Sequence, residues 1–249
     1  MGSALLSQWS RGGEDITVVD PVQDSVPDGV RLVQNRDPIA DETFDCIVAA
    51  IKPQMIDDIL PEYAENLASG GYVLSIAAGY SSDRLSRIMG DAPVIRVMPN
   101  LPAAIGRGVS GIAPGPRATP DHLAHAQDFM SRAGRTVTVD SEDMLDRVTA
   151  VAGSGPGYVF ELARAYTQAA IDMGFDPEQA REMVLGTIGG AVAMAVEQTD
   201  TPLAELRNSV TSKGGTTAAG LDALNGDGGL SERLSATLQA AYERAVELR

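Results

Sequence analysis

With 249 residues the chain can hold one large domain or two modest ones, with core enough to fold unaided. Its formal net charge of −15 excludes nucleic acid, whose phosphates it would repel, and fits a solubility role in a salty or acidic-proteome cell. The one cysteine, Cys46, excludes an intrachain disulfide and fits a reducing, cytoplasmic setting; no apolar stretch reaches the length of a membrane span, and the first residues lack a signal-peptide pattern.

In chain order, Met1-Gly2-Ser3-Ala4-Leu5-Leu6 opens a helix that runs to about Trp9, with Gly12-Gly13 as its stop. Short β-rich runs at 16–20, 30–33, 45–50, 72–76, 94–98, 109–113 and 136–140 follow. Helical spacing at 54–68 and 81–89 separates some of them, the pattern of a parallel α/β sheet. Thr119-Pro120 starts another helix, with Thr119 as N-cap. His122 and His125 on that helix have no cysteine nearby and no third ligand, so they are read as solvated and no metal is expected.

After about Ser141 every segment reads helical, which sets domains at 1–142 and 143–249. Asp176-Pro177 opens a helix that is apolar nearly all round through Val184, Leu185, Ile188, Val192, Met194 and Val196. A helix without a polar face must be enclosed on every side. About one hundred helical residues offer little interior of their own, so a second subunit is expected to complete this half. A monomeric bundle with this helix at its centre is the alternative.

The most telling segment is Val210-Thr211-Ser212-Lys213-Gly214-Gly215-Thr216-Thr217. Paired glycines let a backbone approach a ligand closely, and a helix-compatible stretch follows from Ala218. The loop N–H groups are then expected to project from a helix N-terminus, a cradle for carboxylate or phosphate. The same pattern, taken alone, equally fits a Gly-rich turn capped by threonine.

This loop resembles the substrate-binding loop of the pyrroline-5-carboxylate reductases, which make proline from a cyclic imine. Three further stretches match that family in the same order and at similar spacing. They are Ile51-Lys52-Pro53-Gln54, Arg96-Val97-Met98-Pro99-Asn100 and Gly153-Ser154-Gly155-Pro156-Gly157-Tyr158-Val159-Phe160. The resemblance implies an N-terminal Rossmann-like parallel sheet followed by an all-α dimerisation domain, assembled as a homodimer or a higher homo-oligomer. A dinucleotide-binding fold normally begins with a strand and Gly-x-Gly-x-x-Gly. Here Met1-Gly2 looks like the last part of that fingerprint, with the first strand missing, so the sheet is expected to lose the pairing on both sides of that strand.

The resemblance implies NADP or NAD as cofactor and a cyclic imino acid as substrate. Gly2, Ala50, Lys52, Pro53, Ala77, Gly79 and Asn100 are placed along the cofactor, with Asn100 toward the nicotinamide carboxamide or capping its own turn. Asp20, closing the second strand, suits an adenine ribose and favours NAD, whereas Asn35 matches a family position near the adenosine and Arg36 beside it suits the phosphate of NADP. For the substrate, Ser212, Gly214, Gly215, Thr216 and Thr217 are assigned to the carboxylate cradle and Ser154 to the pocket wall, unless it is simply an N-cap. Thr217 is the candidate catalytic partner of the imine nitrogen. Lys213 stands where the family usually has proline. A rival reading is a non-catalytic paralogue that dimerises without binding cofactor. Another is a relative that reduces a different imine or a β-hydroxy acid; β-hydroxyacid dehydrogenases usually rely on a catalytic lysine in the helical half, where Lys213 is the only lysine and sits in the loop.

Overall fold

Seven runs of β-branched and aliphatic residues become strands, at the places the sequence marks. The structure, a computed structural model, describes residues 1–249, Gly228 by its backbone alone. Helix α1 (Gly2–Trp9) precedes β1 (Thr17–Val19) and β2 (Arg31–Val33), which pair in parallel as a small sheet of their own. The larger sheet holds β3 (Phe44–Ala49), β4 (Leu67–Ser75), β5 (Val94–Met98), β6 (Gly108–Pro114) and β7 (Gly134–Thr138), hydrogen-bonded in that order. No ladder joins β1 to β3, so each stands at the edge of its sheet.

Two sequence expectations change here. The helix expected over 54–68 is broken into 3₁₀ turns, Pro53–Met55 and Leu60–Asn66, around the single α-turn α2 (Ile56–Ile59), and 67–68 already belong to β4. Pro61 is the reason: it has no N–H to donate, and its ring conflicts with the carbonyl four residues earlier. The sheet is also not wholly parallel, because β6 runs against β5. Their connection, residues 99–107, is shorter than the dozen or so residues of a parallel crossover. It holds only the 3₁₀ turn Leu101–Ile105, closed by Gly106 at φ +70.

Helix α3 (Ser82–Ile88) lies between β4 and β5, and α4 (Pro120–Ser131) carries the chain from β6 to a parallel β7. The Thr119 hydroxyl accepts from the His122 N–H, while His122 Nδ1 accepts from the Thr119 N–H. Nε2 therefore carries the proton and donates to the Gly70 carbonyl at 3.0 Å. His125 Nδ1 is hydrogen-bonded to the Tyr72 hydroxyl at 2.8 Å, and its ring stacks on Phe129. The histidines read as solvated are thus tethers between α4 and β4.

Alternation along β4 and β5 buries both faces of the sheet. Tyr72, Leu74, Ile95 and Val97 pack with Leu5, Trp9, Phe129 and Met130 on one side. On the other, Val73 and Val94 pack with Ile56, Leu60, Leu85 and Met89. Strands covered on both faces read as continuous apolar runs, which is why these two were plain in the sequence. Cys46 is partly exposed as a residue, but the atoms crowding its thiol push that group up to about 12, so it stays protonated and inert.

The remainder is helical: α5 (Glu142–Val148), a π turn at Thr149–Gly153, α6 (Gly155–Asp172), α7 (Pro177–Glu197), α8 (Leu203–Ser209), α9 (Thr216–Asn225) and α10 (Gly229–Leu248). The chain divides into two compact units, Met1–Pro156 with Ala240–Arg249, and Gly157–Gln239. Asp176 caps α7, accepting from the Glu178 and Gln179 N–H groups. Of the apolar residues of α7, Ala180 and Val184 are buried, while Leu185, Val192, Met194 and Val196 are exposed. No helix among the described residues is long and apolar enough to cross a membrane.

Candidate functional site

Parallel strands bring their carboxyl ends to one edge, and several candidate residues meet there. The Ile76 N–H donates to the Ala49 carbonyl at 3.2 Å, and a Cβ on Gly2 would stand 3.2 Å from the Cβ of Ala50. Helix α1 therefore begins beside the end of β3. No side chain caps its first turn. Those N–H groups, with small residues at Ala50, Ala77, Ala78 and Gly79, fit a dinucleotide's pyrophosphate and flat ring. Gly79 adopts φ +68, and Lys52 is exposed ahead of the 3₁₀ turn begun by Pro53.

Four polar side chains singled out in the sequence, Asp20, Asn35, Arg36 and Asn100, are engaged with the protein itself. Asp20 Oδ1 accepts from the Val22 and Gln23 N–H groups at 2.9 and 3.1 Å, and Asn35 Oδ1 from the Asp37 N–H at 3.0 Å, so each shapes its own turn. Arg36, expected to neutralise a phosphate, instead donates through Nε to Asn66 Oδ1 at 2.8 Å and faces Glu65. Asn66 is fully buried and donates to the Ile39 and Glu42 carbonyls at 2.8 Å each. Asn100 was placed against the nicotinamide or its own turn. Its amide instead donates to the Ala152 carbonyl at 3.0 Å and accepts from the Val109 N–H at 2.9 Å.

The Ala152 contact has a local cause. In an α-helix the Ala152 carbonyl would bond the N–H of residue 156, and Pro156 has none. The chain answers with the π turn, in which the Ser154 N–H reaches the Thr149 carbonyl at 2.8 Å. Ser154 is consequently in right-handed helical conformation within one continuous helical path, and is not the N-cap considered for it.

In the second unit the Gly-rich loop forms as its sequence demands. Gly214 has φ +70, Gly215 is the extended N-cap residue of α9, and its N–H bonds the Ser212 carbonyl at 3.0 Å. Glycine offers no capping oxygen, and no other side chain caps α9. The Ala219 N–H reaches the Gly215 carbonyl, which leaves the Thr216, Thr217 and Ala218 N–H groups as the orphan donors of the first turn. Ser212, Thr216, Thr217 and Lys213 are exposed around them. Such a terminus receives an anion without a cationic side chain.

One polar cluster escaped the sequence reading. Arg96 lies in the wholly buried β5 at 2% exposure. Its Nη1 donates to Glu142 at 3.3 Å and Nη2 to the Ala77 carbonyl at 3.4 Å. Glu142 also accepts from the Ser82 N–H at 2.6 Å. Burial alone would raise Glu142, but the Ser82 N–H and the Arg96 guanidinium outweigh it and hold the carboxyl below its ordinary range. A charged residue inside an apolar strand was the available signal.

The Gly-rich loop, the split sheet and the helical second half now meet their relatives. Residues 142–248 match the family model described as pyrroline-5-carboxylate reductase dimerisation. The pyrroline-5-carboxylate reductase of Haemophilus influenzae is 36% identical over 81% of this chain and 74% of its own length. That of Methanosarcina acetivorans is 34% identical over 100% and 94%. The chain belongs to the pyrroline-5-carboxylate reductase family. Among solved pyrroline-5-carboxylate reductases, that of Coxiella burnetii superimposes with a TM-score of 0.90 at 29% identity, covering 99% of this chain and 94% of its own. The Plasmodium falciparum enzyme, solved with NADP bound, gives 0.85 at 25%, covering 100% and 94%. The likeness reaches both ends of the chain, so membership in the pyrroline-5-carboxylate reductases rests on the whole fold and not on the Gly-rich loop alone.

Proposed function

We propose that this chain reduces 1-pyrroline-5-carboxylate to L-proline, the last step of proline biosynthesis, with NADPH or NADH as hydride donor. The observation that carries the reading is the uncapped N-terminus of α9 behind Gly214 and Gly215, in a chain whose relatives are named for this reaction. Three first-turn N–H groups grip the substrate carboxylate, assisted by the Ser212 hydroxyl. Thr217 hydrogen-bonds the imine nitrogen and fixes the face of the C=N bond, and Ser154 shapes the pocket wall. Orientation and charge placement are what the protein contributes, so no protein nucleophile is needed.

Residues 1–142 hold the dinucleotide and 143–249 dimerise and carry the substrate loop. Gly2 and its neighbours on α1 take the pyrophosphate. Asp20 and Asn35 take the adenosine end, while Ala50, Lys52, Pro53, Ala77, Gly79 and Asn100 line the way to the nicotinamide. Asn100 acts there by holding the backbone of 109 and 152 in place. The exposed apolar face of α7 is covered by a second copy of the chain. The single thiol supports a cytoplasmic setting.

The test follows loss of reduced-nicotinamide absorbance with pyrroline-5-carboxylate, using NADPH and NADH in parallel. Turnover with proline as product supports the reading. A chain that dimerises yet quenches no cofactor fluorescence is instead a non-catalytic paralogue.

A further inference from the structure

The loop that follows β4 is held from an unexpected direction. Gly79 lies against the end of α10 so closely that a Cβ there would run into the Leu248 carbonyl oxygen. Helix α5 anchors both partners. Through Glu142 it holds Ser82 and Arg96, and Arg96 in turn holds the Ala77 carbonyl. Through its next carboxylates it holds α10: Tyr242 donates to Asp143, Arg147 lies over the Tyr242 ring at 4.7 Å, and Arg249 Nη1 stands 2.9 Å from Asp146 Oδ2. That last contact is close enough for charge pairing but too bent for a hydrogen bond, since the same oxygen is buried without a hydrogen-bond partner.

Asp146 is 4% exposed, and burial pushes its carboxyl up, opposed first by Arg249 and then by Arg96. Two arginines and two carboxylates thus balance in a quartet in which Arg96 and Asp146 are buried, Glu142 is partly exposed and Arg249 is exposed. Without Arg249, Arg96 would face Glu142 and Asp146 alone, and its bond to the Ala77 carbonyl would compete with that second carboxylate.

We propose that the end of α10, fastened to α5 by Arg249–Asp146 and Tyr242–Asp143, is a clasp that positions the Ala77–Gly79 loop for the nicotinamide. Arg249 is a positioning residue, acting through Asp146 and Arg96. The inference rests on the reading of that loop as part of the cofactor path.

Hydrogen exchange of the full-length chain without added cofactor, followed by mass spectrometry, tests the clasp directly. Arg249→Gln and Asp146→Asn are expected to speed exchange across 77–82 by about tenfold, with 214–224 unchanged and Arg249→Lys close to wild type. In kinetics, Arg249→Gln is expected to raise KM for the reduced dinucleotide by about tenfold while KM for pyrroline-5-carboxylate holds. Unchanged exchange across 77–82 in both neutral variants would overturn the clasp. A wild-type chain that binds no dinucleotide would overturn the functional reading instead, and the exchange measurement would still decide the clasp.

Discussion

The role proposed for Thr217 is that one hydroxyl orients one nitrogen, so its removal should be felt in turnover more than in nucleotide binding. Thr217→Val is expected to lower kcat/KM for the imine by about ten- to a hundredfold with KM for NADPH unchanged, measured by steady-state kinetics. Gly214 tests the loop by geometry alone: a Cβ there meets nothing within 4 Å, yet φ is +70. Gly214→Ala then carries only backbone strain, about 1–2 kcal/mol, and is expected to raise substrate KM through a displaced cradle.

Glu14 and Arg132 form an ion pair in which the Arg132 hydrogen bond holds Glu14 down at about 2. The carboxyl's folded value lies below its ordinary one of 4.5, so the pair stabilises fully above pH 4.5 and less as pH falls toward 2. The melting-temperature gap between wild type and Glu14→Gln should accordingly be open at neutral pH and narrow across that window. A gap that stays constant down to pH 2 would contradict the assignment.

At the scale of elements, Pro156 and Asn100 explain each other. Proline removes one donor from the helix, the π turn reroutes the backbone, and a buried amide from the end of β5 reaches the Ala152 carbonyl. In the double-mutant cycle of Asn100→Ala with Pro156→Ala, the asparagine is expected to matter less once residue 156 has its N–H. A coupling of about 1 kcal/mol in denaturant midpoints is the expected size, and strict additivity would separate the two features. The same scale shows why the 54–68 helix and the parallel β5–β6 pair were misjudged. Apolar spacing favoured a helix there and Pro61 overruled it, while strand direction depended on a connection length that propensity does not weigh.

For the whole molecule, the exposed faces of α7 matter most. Val192 at 57% and Met194 at 54% exposure are too apolar to face water by design. Val192→Glu is expected to shift the sedimentation coefficient toward a monomer and to remove activity with it. A dimer that persists would place the interface elsewhere.

Local chemistry was enough to fix much of this protein from its sequence. Thr119 and Asp176 cap helices because their side chains reach N–H groups two or three residues on, Gly214 turns the loop because only glycine is comfortable there, and β4 and β5 show as apolar runs because both faces are covered. What remained hidden depends on residues far apart in the chain. Asn66 reaches back to Ile39, Arg96 forward to Glu142, and Arg249 to Asp146, and no periodicity announces such pairs. Their partners are chosen when the chain folds, because a buried charge or amide must bond whatever the packed core brings beside it.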